Sequence, residues 1–201
     1  MKRNLFDLRP TQFAVGMVEV EKKIKKLQKL KEKELQEYLE AHPVPVVLCS
    51  DGQAHIIDHH HLVRACWEMG LDKVVTHVEA DLSHLGKKEF WDEMHKRKWT
   101  HLYDQFGKGP HEYINLPLNV RGLADDLYRS LAWVIREEGA YDKTPLPFCE
   151  FHWADFLRKN LVVDRTEEGF AKATAAALKL ARSEDARHLP GYKENKPKSD
   201  K

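Results

Sequence analysis

Residues 56–65 read IIDHHHLVRA and contain the most informative pattern of the chain. Two isoleucines come before an aspartate and three histidines, and the segment 62–69 after them predicts a helix that Gly70 ends. The pattern therefore predicts an apolar strand that leads directly into a helix. The free N–H groups at the start of a helix and the helix dipole together form an anion-binding position. A histidine at such a position can bind a phosphate or transfer a proton.

The segments around this junction predict a small sheet. An Asp-Gly step at 51–52 separates two apolar runs, 45–49 and 54–58, and this arrangement favours a hairpin. Further strands are predicted at 5–10 and 73–80 because both are short and largely apolar. The N-terminal half is therefore expected to contain the sheet.

Helical periodicity covers much of the remaining chain. A long helix is predicted over 17–41, where apolar residues recur at helical spacing, and another contains Phe90, Trp91 and Met94. Beyond residue 120 three helices are predicted, the last with Thr166 as its N-cap: 120–138, 149–161 and 167–183. The expected class is α+β, with a helical C-terminal half.

Bulk composition excludes some classes of protein. With 33 Lys and Arg against 32 Asp and Glu, the net charge of +1 does not indicate DNA binding, which would need a local basic patch. No apolar run approaches the roughly 18 residues of a membrane span, and the N-terminus does not resemble a signal peptide. Three cysteines without a C-x-x-C pair fit a reducing compartment. We therefore expect a cytoplasmic protein without a membrane partner.

Several motifs spread along the chain carry a resemblance to a known family. They are DLRPTQFAVG (7–16), HPVPVV (42–47), IDHHHL (57–62), EFW (89–91), DDLYRSLA (125–132) and PFCEFHWAD (147–155). With these motifs the chain resembles the ParB/sulfiredoxin superfamily, in particular the branch labelled ParB-like nuclease or chromosome-partitioning protein. The resemblance implies a ParB/sulfiredoxin-like domain with a small mixed sheet at 1–105. A helical extension packed on it is expected at 106–190, and the polar composition of 191–201 predicts a disordered tail.

Relatives in this superfamily bind a nucleotide near a strand-to-helix turn of the pattern D-G-H-H-R-x-x-A or G-E-R-R-x-x-A. Asp58 matches the aspartate of this pattern, and His60 and His61 match its two central positions. His59 replaces the glycine and Leu62 replaces the arginine, so Arg64 would have to supply the positive charge.

Two departures from the pattern argue against particular reactions of relatives. The sulfiredoxin cysteine falls at His60, so repair of sulfinic acids is not expected. The acidic residue of the serine-kinase relatives falls near Gln12, which cannot act as a base; Glu19 or another carboxylate would have to replace it.

The leading hypothesis is an enzyme that acts on a phosphate compound by nucleotide hydrolysis, phosphotransfer or nuclease cleavage. The catalytic candidates are Asp58, His60 and His61. The candidate ligands of a phosphate or nucleotide are His59, Arg64, Arg9 and Gln12. Asp58 would hold Mg²⁺ with the nucleotide.

Three alternatives stay open at the level of sequence. The first is a partition-type module that binds a nucleotide or DNA without turnover, although no convincing recognition helix is found. The second is a transition-metal site in which Asp58, His59 and His61 hold Zn²⁺ or Fe²⁺. In the third, the histidines cap the helix and pack against a loop. The sequence leaves the oligomeric state open.

Overall fold

The computed structural model describes residues 1–194. The chain divides into two compact units, of which the first is Met1–Asp126 and the second begins at Leu127. None of the helices within 1–194 has the length and apolar character that crossing a membrane requires.

The first unit is built on a five-stranded mixed sheet. Its strands are β1 (Lys2–Asn4), β2 (Leu8–Pro10), β4 (Val44–Leu48), β5 (Ala54–Ile56) and β6 (Lys73–Asp81), and their order across the sheet is β1-β6-β4-β5-β2. β4 and β5 pair antiparallel across the Asp-Gly turn, which confirms the predicted hairpin. β4 with β6 and β2 with β5 are parallel pairs, whereas β1 is antiparallel to β6.

A second, two-stranded sheet was not predicted. It consists of β3 (Ala14–Val15) and β7 (Ala124–Asp125), which pair in parallel. Strands of two residues are too short to show the alternation by which a strand is recognised in sequence. The predicted strand at 5–10 is also shorter than expected. Leu5–Asp7 forms a 3-10 turn, and the Asn4 side chain accepts a hydrogen bond from the Phe6 N–H at 2.9 Å.

Four helices belong to the first unit: α1 (Met17–Leu27), α2 (Glu32–Ala41), α3 (His60–Glu68) and α4 (Lys87–Lys96). The prediction of a single helix over 17–41 was wrong. The chain breaks after Leu27, and α2 begins where the Glu34 side chain accepts the backbone N–H of Lys31 at 2.8 Å. This capping interaction satisfies an N–H that a continuous helix would pair with the preceding turn.

The core of the first unit lies between the sheet and α1 and α3. Its fully buried members include Leu5, Leu8, Val20, Val46, Ile56 and Val63. Gly70 follows the end of α3, and its φ of +75° is the left-handed conformation expected of a glycine just after a helix. Because Ile56 and Val63 both belong to the core, the strand-to-helix junction at 56–60 is held in place.

The second unit is helical, as predicted. It contains α5 (Leu127–Glu137), α6 (Cys149–Asn160) and α7 (Glu167–Leu180), whose buried faces form a core around Leu131, Trp153, Leu157 and Ala177. The Thr166 Oγ1 accepts the Gly169 N–H at 3.1 Å and so caps α7, in agreement with the sequence. The helix predicted from residue 120 begins at Leu127, because 120–122 is a 3-10 turn and is followed by β7.

The start of the predicted disordered tail is ordered. The Gly191 carbonyl accepts the N–H of Asp142 at 2.8 Å, and Tyr192 forms an antiparallel bridge with Tyr141. The rest of that prediction, residues 195–201, lies outside the described residues. The domain boundary at 105 and the packing of the extension on the first domain stay predictions.

Candidate functional site

His60 and His61 lie in the first turn of α3 and are buried, with 3% and 9% of their surfaces exposed. The Nε2 atom of His60 accepts the backbone N–H of Thr11 at 3.2 Å. The Nε2 atom of His61 accepts the backbone N–H of Gly16 at 3.0 Å. The two imidazoles therefore hold both ends of the loop 11–16 against the start of α3. This agrees with the packing against a loop in the third alternative, whereas the His59 side chain forms no capping hydrogen bond.

These contacts restrict the protonation of His60. The pKa of His60 is lowered to about 3, chiefly by burial; the Asp58 carboxylate opposes this shift, and His61 and His59 add to it. His60 is therefore neutral at pH 7, with Nε2 engaged as an acceptor. Beside His61, the Glu19 Oε2 lies 3.6 Å from Nε2, and the Glu19 Oε1 pairs with Lys23 at 3.5 Å.

The loop 11–16 is held from other directions as well. The Thr11 Oγ1 donates to the Ile56 carbonyl at 2.7 Å, and the Thr11 carbonyl accepts from the Thr100 Oγ1 and from the His101 N–H, each at 2.9 Å. The Gln12 side chain is buried, and its Nε2 donates to the Ala14 carbonyl at 2.7 Å. Gln12 was predicted as a phosphate ligand, and its side-chain amide instead donates a hydrogen bond within the loop.

Asp58 and His59 differ from the two histidines that follow, because Asp58 is exposed and His59 is half-buried. His59 is the N-cap of α3 and has a φ of 64°, in the left-handed region that favours glycine. This conformation explains why relatives carry a glycine there. The His59 N–H donates to the Asp58 Oδ1 at 2.6 Å, and the His59 side chain does not cap the N–H groups of the first turn.

The two predicted arginine ligands bind backbone carbonyls. The Arg9 Nη1 donates to Leu118 at 2.6 Å, and its Nε donates to the Gln53 Oε1 at 2.7 Å. The Arg64 Nη1 donates to Val120 at 3.1 Å and to Leu123 at 2.9 Å. Both guanidinium groups hold the segment 118–123 in place. Each group therefore uses donors on backbone carbonyls of this segment.

The predicted metal ligands are not brought together either. Within residues 1–194 no group of three or more His, Cys, Asp or Glu side chains could share a metal ion. Asp58 is exposed, whereas the His61 Nε2 is directed into the protein and accepts from Gly16. The residues therefore do not fit the predicted Zn²⁺ or Fe²⁺ site.

One further titratable pair was not predicted from the sequence. The His111 Nε2 lies 3.1 Å from the Asp104 Oδ2, in a turn beside the loop 11–16. Burial raises the pKa of the Asp104 carboxyl. The hydrogen bonds from Lys108, Phe106 and His111 together lower this pKa by more than burial raises it, so the net shift is downward. The two residues are seven positions apart in a loop rich in glycine, so no regular spacing connects them in sequence.

The mixed sheet and the loop–helix junction define a protein of the ParB/sulfiredoxin-like α+β class. Residues 1–159 match the family described as "Putative ParB-like nuclease", and the chain belongs to this family. Among solved structures it is similar to protein Atu1540 from Agrobacterium tumefaciens, with 41% identity, a TM-score of 0.88 and 98% of each chain covered. No protein of curated function matches the chain.

Proposed function

We propose that the protein binds a phosphate compound at the N-terminus of α3 and cleaves a P–O bond there. The observation that carries this proposal is the start of α3. The helix begins at a half-buried, left-handed His59 whose side chain forms no capping hydrogen bond with the first turn. The N–H groups and the dipole at a helix N-terminus favour a bound phosphate.

Buried histidines give this position a rigid border. His60 and His61 hold the loop 11–16 next to the first turn through their Nε2 atoms. Preorganised surroundings strengthen anion binding because the protein does not have to reorganise when the ligand arrives. In this proposal the two histidines position the loop and do not transfer protons.

Asp58 supplies the negative charge of the site. Its carboxylate would repel a phosphate at the helix N-terminus unless a cation lay between them. Mg²⁺ is typically bound by one or two carboxylates together with the phosphates of the substrate. Asp58 is exposed, and its Oδ1 accepts the His59 N–H, so its Oδ2 would bind the ion. The ion would neutralise charge on the phosphate.

The chemistry expected of the family supports a phosphate ligand, since its description names a nuclease. A partition-type module that binds a nucleotide without turnover would use the same anion-binding position. The two functions differ in product formation, so binding and cleavage have to be measured on the same protein samples.

The test uses a pair of variants that differ in charge alone. His59→Asp places a carboxylate at the uncapped N-terminus, whereas His59→Asn is its neutral match, and both residues tolerate the left-handed conformation. Calorimetry with ATP, ADP and CTP, with and without Mg²⁺, is run alongside cleavage of single- and double-stranded DNA. We expect His59→Asp to bind at least about tenfold more weakly than His59→Asn.

Asp58→Asn should remove the dependence of binding on Mg²⁺, with Asp92→Asn as a control at an exposed ion pair on α4. Equal affinities of His59→Asp and His59→Asn would refute the proposed binding position. Binding without product from any of these substrates would favour the module without turnover.

A further inference from the structure

The turn 102–111 contains a histidine and a carboxylate that the proposed phosphate site does not use. Its ends are joined by a hydrogen bond from the His111 N–H to the Leu102 carbonyl at 2.7 Å. Inside the turn, the Asp104 N–H donates to the Lys108 carbonyl at 2.9 Å. These contacts place the side chains of Asp104 and His111 next to each other on a constrained backbone.

Asp104 is held by the backbone so that one oxygen is left for the histidine. Its Oδ1 accepts the N–H groups of Phe106 and Lys108, both at 2.9 Å, and its Oδ2 lies 3.1 Å from the His111 Nε2. The ring of Phe13 contacts the His111 ring edge-on, with the centroids 5.3 Å apart. The carboxylate and the aromatic ring together fix the orientation of the imidazole.

This arrangement determines which nitrogen of His111 is reactive. An ionised carboxylate beside Nε2 requires the proton on that nitrogen, so the lone pair of the neutral ring lies on Nδ1. Among the described residues, none forms a hydrogen bond with this Nδ1. The His111 side chain is 39% exposed, so the atom is accessible to a ligand or to water.

The turn adjoins the loop that His60 and His61 hold. Thr11 accepts from the His101 N–H at 2.9 Å and donates its own N–H to His60, so this one residue connects the two segments. Phe13, which contacts His111, is two residues further on, at most about 7 Å along the chain. The loop 11–16 thus contacts both the start of α3 and the Asp104–His111 pair.

We infer that His111 is the general base of the phosphate reaction and that Asp104 is its positioning residue, an inference that rests on the proposed function. The His111 Nδ1 takes a proton from water while the water oxygen forms a bond to phosphorus. The ester P–O bond breaks, the leaving oxygen takes a proton from solvent, and His111 returns its proton to solvent.

The first test measures turnover of the phosphate substrate that the wild type cleaves. General bases contribute roughly 10²–10⁴-fold, so His111→Gln should lower kcat by about that factor and leave KM unchanged. Asp104→Asn should lower kcat less, and added imidazole should partly restore His111→Ala. The control is His77→Gln, at an exposed histidine of β6. If the wild type cleaves its substrate and His111→Gln retains full kcat, the inference fails while the proposed function stands.

The second test needs no substrate. Diethyl pyrocarbonate modifies imidazole nitrogens that carry an accessible lone pair, and mass spectrometry gives the rate at each histidine. We expect His111 to react faster than the more exposed His77, and Asp104→Asn to slow the reaction at His111 several-fold. An unchanged rate in Asp104→Asn would overturn the positioning role, whatever the turnover assay shows. A reactive His111 in a protein that neither binds nor cleaves phosphate compounds would instead refute the proposed function, and with it the general-base role.

Discussion

Protonation of His60 should limit the stability of the fold in mild acid. Burial lowers its pKa from 6.5 to about 3 in the folded protein. Because the folded pKa lies below the unfolded one, His60 stabilises the fold above pH 6.5, and this contribution is lost as the pH falls towards 3. One pKa unit corresponds to about 1.4 kcal/mol, so at a pH of about 4.5 the loss reaches about 2.7 kcal/mol.

The perturbation that isolates this effect is His60→Gln, which keeps a hydrogen-bond acceptor but cannot be protonated. The free energy of unfolding is measured by urea denaturation at several pH values between about 7.5 and 4.5, with circular dichroism and tryptophan fluorescence as probes. The wild type should lose about 2.7 kcal/mol more than the variant over this range. The control Thr166→Ala lowers stability at the cap of α7 and should leave the shape of the pH dependence as in the wild type. Parallel pH curves for the wild type and His60→Gln would refute the assigned role of His60.

Three further predictions concern single positions. His59→Gly should raise the free energy of unfolding by about 1 kcal/mol, since the left-handed region costs a residue with a side chain about that much. A lower free energy of unfolding in urea denaturation would contradict this. Thr166→Ala should lower the free energy of unfolding by about 1 kcal/mol through loss of the cap, and an unchanged urea midpoint would speak against this. Cys66 is fully buried, and burial raises the pKa of its thiol to about 12, so iodoacetamide should label it only after unfolding; mass spectrometry showing labelling of the native protein would disprove this.

The histidine run shows why the same residue type allows opposite interpretations. In water, a histidine at a helix N-terminus can transfer protons near pH 7. In the structure, His60 is buried and accepts an N–H, so burial keeps it neutral and hydrogen bonding engages its Nε2. His111, which no motif marks, is partly exposed and lies beside the Asp104 carboxylate. The same distinction applies to the arginines, since Arg64 resembles a charge clamp in sequence but binds carbonyls of the segment 118–123.

Features that depend on near neighbours in the chain could be predicted from local patterns. The Asp-Gly turn between two apolar runs predicts the β4–β5 hairpin, Gly70 predicts the end of α3, and Thr166 predicts the start of α7; all three are found. Each depends on backbone preferences within a few residues, and such preferences can be recognised from local patterns. Helical periodicity indicated the helical C-terminal half, and the family resemblance extended the prediction to the mixed sheet.

The roles of the site residues depend on contacts that form on folding. His60 and His61 receive their partners from 49 and 45 positions away, and Arg64 receives one of its partners from 59 positions away. A histidine surrounded by water and one buried beside a backbone N–H have the same sequence signature but different protonation. The chemistry of a titratable side chain is set by its burial and by the partner that folding brings to it, and no local pattern contains either.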